Sequence, residues 1–187
     1  TFLSNATMPG NPGGAIYSSN NAAPVLANCI FVGNSAHTGG AMANYFGAYP
    51  TVANCVFANN SAAVGSDIDN EYGATVTVMN SVLLDGIGSS QGILGTVNYS
   101  NIPGGYPGVG NIDADPKFVD AANSDFHLQA DSPCIDAGAL AGAPANDFEG
   151  VSRPQGLGVD MGVYELVSSS VVRIQNVTPS SGIQGTS

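Results

Sequence analysis

The chain has 187 residues, 43% of them hydrophobic and only 9% charged, with 14 acidic against 3 basic side chains and a net charge of −11. Disorder needs low hydrophobicity with high charge, so this composition argues for an ordered domain. The negative balance excludes nucleic acid and anionic lipid as partners, and no apolar run is long enough to insert in a membrane as a helix.

Residues 1–66 contain no Asp, Glu, Lys or Arg, so their polar surface is built from Asn, Ser, Thr and Gly. Phe2-Leu3-Ser4-Asn5-Ala6 has the character of the end of a repeat unit, which implies a start in mid-coil at Thr1 and a mature product or excised piece. The segment Val25–Ala36 then recurs as Thr51–Ala62, placing Asn54 and Cys55 26 residues after Asn28 and Cys29. Gly39-Gly40-Ala41-Met42 follows Gly13-Gly14-Ala15-Ile16 at the same offset. A third copy centres on Asn80-Ser81, and a degenerate fourth starts near Gly92-Ile93-Leu94 and includes Val97–Ile102.

The periodic stretches are five to seven residues long, rich in Val, Ile, Phe, Thr and Cys and bounded by Gly, Asn and Ser. Those are strand and turn signatures. Each copy is expected to hold a short strand after the Gly pair and a longer one through the Asn-Cys centre. One copy cannot bury its apolar side, but stacked copies bury a continuous core and satisfy the backbone from coil to coil. The expected fold is all-β: a right-handed parallel β-helix, or solenoid, of about five coils with an irregular C-terminal cap. Its parts are coils over 1–112, a last coil and cap over 113–165, and a linker with an incomplete or intermolecularly paired strand over 166–187.

Stacking predicts ladders. Cys29, Cys55 and Ser81 align, as do Ile30/Val56/Val82 and Phe31/Phe57/Leu83 on opposite faces of their strand. Asn28, Asn54 and Asn80 are expected at coil corners, in the left-handed backbone region, bonded from coil to coil through their amides. A Cys29–Cys55 disulfide is open to the chain but would strain directly stacked positions.

The coils resemble the pectin-lyase-like right-handed β-helix repeats of large bacterial surface proteins. Tyr99-Ser100-Asn101-Ile102, Gly110–Asp120, Asp125-Phe126-His127-Leu128, Ser132–Gly138, Arg153-Pro154-Gln155-Gly156 and Val159–Glu165 resemble the end of a choice-of-anchor Q domain protein. The resemblance covers about residues 13–165 and implies a secreted bacterial β-helix that continues into an anchoring region; it implies no ligand. Ser168-Ser169-Ser170 reads as a linker. Val171–Val177, followed by Thr178-Pro179-Ser180-Ser181-Gly182, is similar to the opening of an IPT/TIG module, too short to fold alone. A strand of that kind is expected to be loose, to dock on the coils or to complete a second molecule by strand addition.

Candidate chemistry is sparse. Asp67, Asp69 and Glu71 alternate, so in a strand they would share one face, a solvated edge or a set of oxygen ligands for Ca²⁺. No other cofactor is implied. The acidic set Asp113, Asp115, Asp136, Asp147, Glu149, Asp160 and Glu165 surrounds Arg153 in the cap. A lone Arg there is expected to clamp loops through a carboxylate, with Asp136 or Asp160 as partner. His37 and His127 read as turn or packing residues. Tyr45, Tyr49 and Tyr72, with Phe46, form an aromatic stripe that either covers a coil corner or stacks sugar rings.

No catalytic residue is assigned. The expected function is a non-catalytic structural or adhesive module, secreted or at the cell surface, with end-to-end or strand-addition partners of its own kind or surface glycans. The alternative is a carbohydrate-binding module or degenerate polysaccharide lyase or hydrolase.

Overall fold

A computed structural model describes residues 1–89 and 95–167. The expected starting point of the fourth copy at Gly92 and the linker and IPT/TIG-like strand beyond residue 167 lie outside the described residues.

The fold is an all-β parallel solenoid with three strands per turn. One turn comprises β2 (Ile16–Ser18), β3 (Val25–Ala27) and β4 (Ile30–Val32). The next holds β5 (Met42–Asn44), β6 (Thr51–Ala53) and β7 (Val56–Ala58), and the third holds β8 (Ile68–Asn70), β9 (Val76–Met79) and β10 (Val82–Leu83). Partial turns flank them: β1 (Phe2–Leu3) on one side, β11 (Ile87–Gly88) and β12 (Gly95–Asn98) on the other. The strands form three parallel sheets, ordered β1-β4-β7-β10, β2-β5-β8-β11 and β3-β6-β9-β12.

The register is that of the sequence repeat: Phe31 lies over Phe57, Met42 over Ile68 and Val52 over Val78. Each inward column therefore repeats side chains of like character, mostly apolar. Phe2, Phe31 and Phe57 stack with ring centroids 4.6 and 4.5 Å apart and nearly parallel planes. Phe31 and Phe57 are fully buried; burying each side chain contributes about 1.5–3 kcal/mol.

The single long strand expected through the Asn-Cys centre is two strands. Asn28, Asn54 and Asn80 separate them with φ of 50°, 49° and 52°. That left-handed geometry turns the chain by a corner, and Asn is among the few residues other than Gly that adopt it at low cost. Behind each corner the aligned Cys/Ser column takes up backbone donors. Cys29 N donates to Cys55 Sγ, Cys55 N to Ser81 Oγ and Ser81 N to Ser100 Oγ, at 3.4, 3.1 and 3.1 Å. A second sharp corner lies at the Gly pair. Gly39 has φ of 60°, and a Cβ on Gly40 would meet Ser66 O at 2.3 Å, because the backbones of adjacent turns touch there.

Beyond the last turn, Asn101 bridges to Val82 and to Ile112, and Ile102 and Tyr106 cover that end of the inner core. Among the described residues, those from 116 onward do not close the end of the column. They lie along the outer face of the β1-β4-β7-β10 sheet. There Ile30, Val56 and Val82 point outward and pack with Phe118, Phe126, Cys134, Met161 and Val163 in a second core. A two-stranded antiparallel unit, β13 (Phe118–Asp120) with β14 (Asp125–Leu128), braces this flank.

Candidate functional site

Two constructions hold most of the side chains with candidate chemistry: a polar rail that fixes the flank, and an aromatic corner that the flank leaves exposed.

The rail is the Asn28/Asn54/Asn80 column. Only one amide bond runs between its members, Asn80 Nδ2 to Asn54 Oδ1 at 3.2 Å. The remaining amide groups bond the flank instead. Asn28 Nδ2 donates to Asn146 O, Asn54 Nδ2 to Asp160 O and Gly162 O, and Asn80 Nδ2 to Ala139 O, while Asn80 Oδ1 accepts from Ala139 N. The coil-to-coil amide ladder expected here stands elsewhere. Asn5 Nδ2 donates to Asn34 Oδ1 and Asn34 Nδ2 to Asn60 Oδ1, at 2.8 and 3.0 Å. The signal was present in the recurrence of Asn34 at Asn60.

Arg153 does not pair with the carboxylate of Asp136 or Asp160. Its Nη1 donates to Glu165 Oε2 at 2.6 Å with both side chains buried, and its Nη2 donates to Gly162 O and Val163 O. A buried guanidinium takes the geometry that satisfies most donors, and Glu165 with two carbonyls does so. Asp160 caps backbone donors of Asp136 and Leu166, and burial raises its carboxyl to about 6. Asp136 accepts from Gly158 N. Asp147 Oδ1 accepts from Glu149 N and Val151 N, and its Oδ2 from Glu165 N. The cap cluster is thus a loop clamp. His127 stacks on Tyr164 at 3.8 Å and lies 2.6 Å from Asp125 and 3.4 Å from Glu149.

Asp69 and Glu71 come together, their side chains hydrogen-bonded, but Asp67 does not share their face. Asp67 points to the corner of Asn60, accepting from Asn60 Nδ2 and from the N–H groups of Asp85 and Gly86. Burial, then the charge of Asp85, pushes its carboxyl up to about 8. Asp69 lies on the other side of the strand, under Tyr45, where burial and Glu71 raise it to about 6. The strand β8 covers only Ile68–Asn70, so alternation ends before it reaches Asp67. Among the described residues no group of three His, Cys, Asp or Glu side chains has the arrangement of a metal site.

The aromatic corner follows β5 and β8. Phe46 and Tyr72, at equivalent positions with φ of 51°, project outward and stack at 5.0 Å with planes 12° apart. Tyr45 lies against both, and against Tyr17 at 5.6 Å; its hydroxyl bonds Thr38 Oγ1 at 2.9 Å. Tyr17, Phe46 and Tyr72 are each about half exposed, at 49%, 52% and 54%. Tyr49 is also exposed but makes no ring contact among the described residues. Tyr17 was absent from the stripe read in the sequence, since its partner Tyr45 lies one turn and two positions away.

This arrangement offers rings and neutral hydroxyl and amide groups at its surface, with its carboxylates Asp69 and Glu71 buried beneath. Such a surface can take apolar faces and hydroxyl groups. Comparison of the chain with protein-family models, with curated protein sequences and with solved structures gave no match.

Proposed function

We propose that this chain is a non-catalytic structural and adhesive module of a secreted or cell-surface bacterial protein of the choice-of-anchor Q type. In this reading the coil is right-handed, the hand that parallel crossovers favour, and the partial turns at its ends are the fourth and fifth coils. One observation carries the functional reading. Buried polar side chains along the column, Asn34, Asn60 and Asn54 among them, hold turns together or fix the flank. Partners of its own kind would join it end to end or by strand addition.

The second reading is carbohydrate binding, favoured by the exposed rings of Tyr17, Phe46 and Tyr72. Here the adhesive contact is a surface glycan stacked on the aromatic corner, and a degenerate lyase or hydrolase ancestry would leave binding without turnover. Calcium, in this reading, is an accessory at the acidic residues and not a requirement. A glycan array with the intact protein and with a Phe46→Ser/Tyr72→Ser variant tests both readings, paired with reducing-sugar and unsaturated-uronate assays. Binding lost in the variant supports the aromatic corner. Turnover by the intact protein would overturn the non-catalytic assignment.

A further inference from the structure

Cys29 and Cys55 occupy equivalent positions in adjacent turns, between the in-register pairs Ala27/Ala53 and Ile30/Val56. Cys29 N donates to Cys55 Sγ at 3.4 Å, and each thiol lies 3.3 Å from the carbonyl two residues before it. The two differ in access: Cys29 is partly exposed, whereas Cys55 is fully buried. In-register parallel neighbours lie ~4.8 Å apart, inside the Cα separation that a disulfide tolerates.

We propose that Cys29 and Cys55 form a reversible redox staple, a disulfide between adjacent turns made by exchange with an oxidised low-molecular-weight thiol. The chemistry follows from the asymmetry. The accessible Cys29 acts as attacking thiolate. Its hydrogen bond with Cys55 holds its thiol down to about 7, against the opposing effect of burial. It attacks one sulfur of the small disulfide, which expels one small-molecule thiolate and leaves a mixed disulfide on Cys29. Cys55 then attacks Cys29 Sγ, expelling the second small-molecule thiol. The Cys55 proton passes to that leaving group. Two protein thiols are oxidised and one small disulfide is reduced to two thiols. Burial pushes the Cys55 thiol well above its ordinary range, so the second step is the slower one.

Geometry also sets the character of the bond. Directly stacked Cβ atoms are spaced more widely than the ~3.8 Å typical of a disulfide. Closure must draw the two corners together, and a bond formed under that strain is readily reduced. The staple therefore responds to redox conditions, and would tie the first complete turn to the second when oxidised. Cys134, buried and bonded by Asn101 Nδ2 at 3.3 Å, sits apart as an internal control. The inference is independent of the functional reading above.

The test uses the whole chain incubated with glutathione disulfide, followed by thiol titration after unfolding and peptide mass mapping. The expected result is loss of two of three thiols, a Cys29–Cys55 cross-linked peptide and a rise in Tm of about 5 °C, all reversed by mild reductant. Cys134→Ser should leave the cross-link intact, and Cys29→Ser should abolish it. Three free thiols after oxidation, a glutathione adduct that persists on Cys29, or a Cys29–Cys29 dimer would each overturn the proposal.

Discussion

Asn60 Oδ1 accepts two hydrogen bonds from Asn34, one from its backbone N and one from its Nδ2, both at 3.0 Å across adjacent turns. The Asn60 amide then donates to Phe31 O and Asp67 Oδ1, so one buried side chain joins two turns and a buried acid. Asn60→Ala would strand donors and acceptors on all four sides. The expected loss is about 2–4 kcal/mol, since unsatisfied buried polar groups cost more than a net hydrogen bond contributes. Urea denaturation of the variant measures it, and a loss below 1 kcal/mol would show that water replaces the amide.

Arg153 and Glu165 anchor the flank in the same manner, but with charge. Arg153→Ala leaves a buried carboxylate without its partner, and about 3–5 kcal/mol should be lost. An Arg153→Met/Glu165→Leu double variant should recover part of that loss, because both charges go together. Limited proteolysis should cut within residues 139–165 faster in the single variant than in the double.

Two phenylalanines separate core from surface. Phe57 is fully buried in the stacked column, whereas Phe46 is 52% exposed at the aromatic corner. Phe57→Ala should cost about 3–5 kcal/mol through lost burial and a cavity. Phe46→Ala should cost less than about 1 kcal/mol. Equal losses would mean that the corner rings support the coil and are not a free surface.

The pH dependence has a definite sign. Burial raises Asp67 to about 8 and Asp69 and Asp160 to about 6, above an ordinary aspartate. A carboxyl raised in the folded state holds its proton more tightly there than in the unfolded chain. Its contribution is complete below pH 4 and is lost as pH rises through the folded value. His127 adds to the same trend: burial works against its charge, but Asp125 and Glu149 raise it overall. Tm should therefore fall between pH 5 and 8, and Asp67→Asn should flatten the upper part of that slope. A Tm that rises over this range would contradict the buried, protonated Asp67.

The repeat made much of this fold legible. The 26-residue spacing determined that Phe31 stacks over Phe57 and Asn54 over Asn28, and the residue types of the Asn corner announced a left-handed backbone. The Cys/Ser column and the alignment of Ile30, Val56 and Val82 also followed from the period; that this set faces outward was decided by the flank packed on it. The number of strands per turn did not. A single αL residue splits one apolar run into two strands, and apolarity alone carries no mark of that break.

The sequence by itself determined the column, because stacking equivalent positions is the only way a repeat of short apolar strands can bury its own surface. The tertiary structure alone decided what the polar groups do. Asn54 is separated from Gly162 by 108 residues, and Arg153 from Asn28 by 125. A residue's type states that it needs a partner, but only the path of the chain brings one within hydrogen-bond distance. The same holds for Asp67 and Asp69, two positions apart, which the end of a three-residue strand sends to different surroundings.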